Sequence, residues 1–348
     1  MASTKSARSD QRPRRRAAGV VLVGLLASCQ ATDKPAFVAR AEESLETHRR
    51  RINRRLTERT ERLGSLSAAL TGCSLERRTA YELDPEQEDA LGSAVLSRQL
   101  ASLGVEPLPP TDPVARYVDQ VGQYLALVAE SVGNANGPDR AKRPERLLDN
   151  RSWPLVGYRF VVVPSEEPRA VGNPGGKVMI STGFLRSLES EEELAAVLAH
   201  EVAHVQRGHG VEVLKAFMCH HKLSVSSPGS RSLEIEAQQA ANLYRDGFPE
   251  DFELEADRIS IRILLAAGYD GRAFTGLLRR MAQEAPAKHA WLRMHPAVPE
   301  RLETIGERLK ALGPAQSWPS AEAIAPRTKR FLEAILPLEV ASGAQTPP

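Results

Sequence analysis

The sequence predicts an α+β fold that is mostly helical and carries one small β-sheet. Three observations support this. Apolar residues recur at helical spacing through several long stretches, and only two short stretches, Tyr158–Val163 and Lys177–Ser181, read as strands. No segment repeats another, so the pattern is that of a compact domain and not of a solenoid. With 348 residues, 42% of them hydrophobic, the chain can bury a core as one large domain or two modest ones.

Residues 1–28 form a basic leader, with Lys5, Arg8, Arg12, Arg14, Arg15 and Arg16 followed by the apolar run "AAGVVLVGLLAS". That run is short for a bilayer span, and no other long uncharged tract exists. Its ending, "LASC", resembles the lipobox of bacterial lipoprotein signal peptides. The resemblance implies that Cys29 becomes a lipidated first residue, which anchors the exported chain to a membrane without spanning it. An ordinary secretory signal or an uncleaved anchor is the alternative. Gln30 is not the aspartate associated with inner-membrane retention, which favours the periplasmic face of an outer membrane. Without the leader the chain has 40 basic and 43 acidic residues, a charge of about −3, so nucleic acid is not an expected partner.

Residues 29–80 read as the lipidated N-terminus and a charged helical spacer, whose arginines between Arg49 and Arg55 form a solvated face or touch acidic headgroups. A domain over 81–313 follows. Two helices, in "DPEQEDALGSAVLSRQLASLG" and "DPVARYVDQVGQYLALVAESVG", flank the Pro-rich turn "VEPLPPTDP". The two strands come next, separated by the "GNPGG" turn. A helix then begins with Ser190 as cap and Glu193 three residues on, and Gly208 stops it. Val211–Glu250 reads as less regular, with a loop at "SSPGSRS". Further helices are expected in "DFELEADRISIRILLAAGYD", around Ala273–Gln283 and over Pro299–Leu312. Residues 314–348 read as a Pro-rich linker, a short helix near Thr328–Ile335 and a flexible tail. Cys73 and Cys219 either pair in an oxidising compartment or stay as two thiols.

The chemistry lies in "LAHEVAHVQRGHG". Residues four apart on a helix share a face, so His200 and His204 can converge on one ion with Glu201 beside it. A zinc ion held by three protein ligands keeps a position for water and lowers its pKa to about 7; the adjacent carboxylate can then take a proton. His209 is not the expected third ligand. The extended pattern HExxHxxGxxH needs glycine and histidine where Arg207 and Gly210 stand, and five residues of helix would turn His209 off the metal face. In "FELEAD", Glu253 and Asp257 share a face of another helix and are the better candidates, whereas Glu255 points away.

Together with "MHPAVPERLETI", "DPVARYVDQVGQYLA" and "PGGKVMISTGFL", these motifs resemble the HtpX, BepA and LoiP type of zinc metallopeptidase, relatives of the CAAX prenyl endopeptidases. The resemblance covers roughly Leu83–Leu312. It implies a zincin (gluzincin) fold with the sheet beside the HExxH helix, and one Zn2+ bound by His200, His204 and Glu253. Glu201 would act as base, and Asp257 would orient a ligating imidazole through its other nitrogen. His295 would stabilise the oxyanion or cap the metal in a resting state, and Arg301 matches the arginine that follows it. Lys177, Val178, Met179, Ile180 and Ser181 would form the edge strand that pairs with an extended substrate. The family's "NAFA" before "PGG" is replaced here by "RAVGN", which alters the cleft. The expected activity is a metalloendopeptidase acting on unfolded or misassembled envelope proteins. The rivals are a zinc-bearing chaperone or assembly factor with latent proteolysis, and a structural zinc module.

Overall fold

In the computed structural model, the described residues are Cys73, 81–133, 154, 156–221, 236–238, 240–242, 247–283, 290–296, 298–313 and 316–343. All belong to the unit that runs from Gly64 to Pro348. The leader, Cys29, the charged spacer and the "SSPGSRS" loop lie outside the described residues.

The elements in chain order are α1 (Pro85–Leu103), α2 (Pro113–Gly133), β1 (Arg159–Val163), β2 (Ala170–Asn173), β3 (Lys177–Ser181) and α3 (Thr182–Ser187). Then come α4 (Glu191–Arg207), α5 (His209–His221), α6 (Glu250–Ala266), α7 (Arg272–Gln283), α8 (Ala290–Met294), α9 (Val298–Ala311) and α10 (Ala321–Gly343). The fold is therefore mostly helical with a small mixed sheet, as the periodicity predicts. Among the described residues no helix is long and apolar enough to cross a membrane.

α4 is the axis of the domain. Every residue from Glu191 to Val205 is buried, as expected for a helix packed on all sides. Its start follows the sequence signal: the Ser190 hydroxyl accepts from the Glu193 N–H, and Gly208 at φ 64° ends the helix. The return contact of the capping box is shifted by one residue, because the Glu193 carboxylate accepts from the Glu189 N–H at 2.8 Å. Three glutamates open the helix, where the backbone N–H groups favour negative charge, and each meets a distant arginine: Glu191 with Arg330, Glu192 with Arg327 and Glu193 with Arg280.

The sheet order is β1–β3–β2, with β1 parallel and β2 antiparallel to β3. This corrects the expected position of Lys177–Ser181. β3 is the central strand and both of its backbone edges are hydrogen-bonded, so it cannot accept a substrate strand. The edge beside α4 is β2, where "RAVGN" lacks the β-branched run that would announce a strand. Gly172 permits the approach, since a Cβ there would lie 2.6 Å from the Glu201 carbonyl oxygen. α1 holds the turn between β2 and β3. Lys177 pairs with Asp89, the Gly175 N–H donates to Glu88 at 3.2 Å, and Gln99 and Asn173 exchange amide hydrogen bonds at 3.0 and 2.9 Å.

Three other expectations change. α5 is regular from His209 to His221, starting directly on the Gly208 turn. Cys219, near its end, forms a disulfide with Cys73 with the Cα atoms 5.9 Å apart, which settles the choice between pairing and free thiols. The C-terminal segment is a 23-residue helix that buries Phe331 and Ile335 in the main core, not a short helix on a linker.

The α10 to α4 latch is pH-sensitive with a definite sign. Burial alone would raise the Glu191 carboxyl, but hydrogen bonds from Arg330, Tyr117 and Tyr269 hold it below its ordinary value. A lowered folded-state pKa contributes stability that is complete above the unfolded pKa and is lost as pH falls through the folded value. Arg330→Met should cost about 1–2 kcal/mol at pH 7, discounted for the half-exposed guanidinium, and progressively less below about pH 4. Urea unfolding at pH 7 and 3.5 checks this, and an equal cost at both would rule out the ion pair as its source.

Candidate metal centre

Two helices build the centre. α4 presents His200 and His204 from one face, one turn apart, and α6 presents Glu253 and Asp257 in the same way. The residue after α8 adds His295. The ring nitrogens of His200, His204 and His295 and the Glu253 carboxylate all lie within 4.8 Å of one another, and all four residues are buried.

The distances suit a cation. His200 Nε2 lies 3.0 Å from His204 Nε2 and 3.2 Å from His295 Nδ1. The Glu253 carboxylate lies 3.4 Å from each of the α4 nitrogens and 3.0 Å from His295 Nδ1. Donors on a tetrahedron around a zinc-sized ion stand about 3.3 Å apart, so these spacings leave room for one metal at their centre. The donor chemistry agrees: the nitrogens face one another and a carboxylate inside the core, an arrangement that is repulsive unless protons or a cation occupy it. His295 Nε2 is also buried without a hydrogen-bond partner.

Electrostatics show how the site is balanced. Burial pushes Glu253 and Asp257 up, but the surrounding cations reverse this and hold both below the ordinary carboxylate range: His295 and Arg301 for Glu253, Arg301 and His200 for Asp257. Burial and Arg301 work against a charged His200, yet Asp257 and Glu253 raise it to about 9. His204 is held well below its ordinary value, chiefly by burial, with only Glu253 opposing. Burial also lowers His209, against the pull of Glu255.

The structure places the remaining sequence candidates as follows. Glu201 is fully buried beside the cluster, where its two carboxylate oxygens accept from the Trp291 indole N–H at 2.9 Å and the Gly172 N–H at 2.8 Å. Oε1 lies 3.4 Å from His295 Nε2. Asp257 Oδ1 lies 2.9 Å from His200 Nδ1, an ion-pair contact in which the ring N–H does not point squarely at the oxygen. Arg301, read from sequence among the catalytic groups, stands behind the cluster. Its Nε and Nη2 donate to Asp257 at 2.8 and 2.9 Å, and its Nη1 donates to the His295 carbonyl at 3.0 Å and lies 3.3 Å from Glu253. All of these contacts are to Asp257, Glu253 and the His295 backbone. Lys177–Ser181 are brought to the sheet centre, not to the cluster.

Sequence reasoning missed two residues. Trp291 holds Glu201, and no local motif announces it. His209, set aside as a ligand, is indeed not among the clustered donors but lies directly behind His204, with the two Nδ1 atoms 2.9 Å apart. Glu255 also points off the cluster, onto Arg207 and His209.

Arg301 should be a stability determinant. Arg301→Leu leaves two buried carboxylates without their cation and should cost about 3–5 kcal/mol in the metal-free chain. Adding Asp257→Asn should recover part of that loss. Urea unfolding of the single and double variants measures it, and a single-variant loss under about 1 kcal/mol would contradict the assignment.

Comparison with known proteins gives a consistent result. The model of Peptidase family M48 matches residues 135–309. The beta-barrel assembly-enhancing protease of Yersinia pestis is 28% identical over 184 residues, 49% of this chain and 38% of that protein. A putative beta-barrel assembly-enhancing protease of Vibrio cholerae is 26% identical over 224 residues, 60% of this chain and 42% of that protein. The mitochondrial metalloendopeptidase OMA1 of Schizosaccharomyces pombe is 27% identical over 243 residues, 67% of this chain and 64% of that protein. The chain thus spans about two fifths of the length of the first of these relatives.

Proposed function

The chain belongs to peptidase family M48, and from that premise we propose that it is a zinc-dependent endopeptidase that hydrolyses unfolded or misassembled proteins of the cell envelope. The observation that carries this reading is the convergence of His200, His204 and Glu253 at 3.0–3.4 Å from one another with Glu201 alongside. Those three residues would hold the ion. When bound, zinc supplies a Lewis acid that polarises a peptide carbonyl and acidifies water near neutral pH.

The chain's own residues do the rest. Glu201 takes a proton from the attacking water and passes it to the leaving amine. Gly172 and Trp291, donating to its two oxygens, fix the direction of the carboxylate. Asp257 and Arg301 hold His200 and Glu253 in register. The substrate strand belongs beside β2, because β3 is fully paired. The leader and Cys29 would place the enzyme on a membrane through lipid, with unfolded polypeptides as partners. The related proteins' names, a beta-barrel assembly-enhancing protease among them, support the envelope setting.

One observation favours a second reading, a chaperone or assembly factor whose proteolysis is latent. His200, Glu201, His204, Glu253 and His295 are each no more than 1% exposed, and His295 Nδ1 sits among the ligand atoms.

Two variants test these readings. Glu201→Gln should keep one Zn2+ per chain and lower cleavage of an unfolded envelope protein by at least about 100-fold; undiminished cleavage removes Glu201 as the base. His295→Ala should raise cleavage if the fourth position is capped at rest. A fall with unchanged zinc content would instead assign His295 to the transition state.

A further inference from the structure

We propose that His209 is a positioning residue for the metal site, holding His204 in the ring orientation and tautomer that turn its Nε2 toward the cluster. This rests on the reading of His204 as a metal ligand and extends it by one layer.

The proton inventory leads there. His204 offers Nε2 to the cluster, 3.0 Å from His200 Nε2, and a ligating nitrogen must present a lone pair. The proton of a neutral His204 therefore sits on Nδ1. The atom facing it is His209 Nδ1, at 2.9 Å. That atom must accept, which puts the His209 proton on Nε2, and Nε2 faces Glu255 Oε2 at 3.4 Å. Glu255 is itself tied down, since Oε1 accepts from Arg207 Nη2 and Nε at 2.8 and 3.1 Å. One placement of hydrogens satisfies the whole row from Arg207 to His204.

The rings are clamped as well. Phe252 stacks on His209 with centroids 4.3 Å apart and planes 10° apart, and Phe248 stacks on His204 at 4.5 Å and 20°. The left-handed turn at Gly208 ends α4 and brings His209 back over the helix it has just left. The two ligands of α4 are thus supported in parallel ways, His200 from α6 and His204 from α5. His200 has Asp257 backed by Arg301, and His204 has His209 backed by Glu255 and Arg207.

The choice of an imidazole has a physical reason. Glu201, Glu253 and Asp257 already place three carboxylates in a core with Arg301 beside them. A carboxylate directly on His204 would add a fourth negative charge at close range. A neutral imidazole passes on the orientation, while Glu255 and its partner Arg207 stay one residue farther out.

The test is Zn2+ affinity of the full-length chain, measured by competition with a chromophoric chelator, with unfolding of the zinc-free protein as the check on fold. His209→Phe should weaken Zn2+ binding about 10–100-fold, whereas His209→Asn, whose Oδ1 can accept where Nδ1 stood, should stay within about threefold of wild type. If the Phe variant does not fold, His209→Ala takes its place against Asn. Equal affinity in wild type and the Phe or Ala variant overturns the proposal, as does equal loss in Asn and Phe. Failure of the wild-type chain to take up stoichiometric Zn2+ would overturn the metal-site reading with it, so the two failures are distinct.

Discussion

The bidentate pair between Arg301 and Asp257 is the interaction on which the centre depends. A site that gathers three histidines and three carboxylates inside a packed core must offset their charge where water cannot. Arg301 does this from behind, binding Asp257 with two N–H groups while reaching Glu253 and the His295 carbonyl. It lies on α9, Asp257 and Glu253 lie on α6, and the histidines they face lie on α4. One guanidinium therefore sets three helices in register at the cluster of His200, His204, Glu253 and His295.

The rest of the fold supports that register from the outside. The three arginines from α7 and α10 meet the glutamates that open α4, so its N-terminal end is held by charge as well as by packing. At its other end, the Gly208 turn and α5 return His209 to the back of His204. α1 grips the turn that joins β2 to β3, and β2 in turn places Gly172 against Glu201. The HExxH helix is thus fixed at both ends and along one side.

Much of the centre was legible in the sequence, for local reasons. Histidines four apart around a glutamate share a helical face whatever the fold, and the same spacing pairs Glu253 with Asp257 and turns Glu255 away. His209 was set aside as though the helix ran on past His204, whereas α4 ends at Gly208 and His209 opens α5 behind His204. The strand order was not legible. Lys177–Ser181 reads as a good strand, and nothing in its own residues says whether one or both of its edges are paired. β2 was hidden because glycine and asparagine form a strand there only through their contacts with β3 and α4. Trp291 and Arg301 were visible as residues but not as a donor to Glu201 or a clamp on Asp257.

The sequence by itself determined most of the long helices and the pairs His200/His204 and Glu253/Asp257 that share a helical face, because each is a matter of residues a few positions apart on a regular backbone. Only the tertiary structure decided which strand lies at the edge, what stands behind His200 and His204, that Cys73 and Cys219 are joined, and that Trp291 and His295 lie against Glu201. Those are pairings between residues tens of positions apart. Their partners are chosen by packing and charge compensation in the folded core, which no periodicity within a segment encodes.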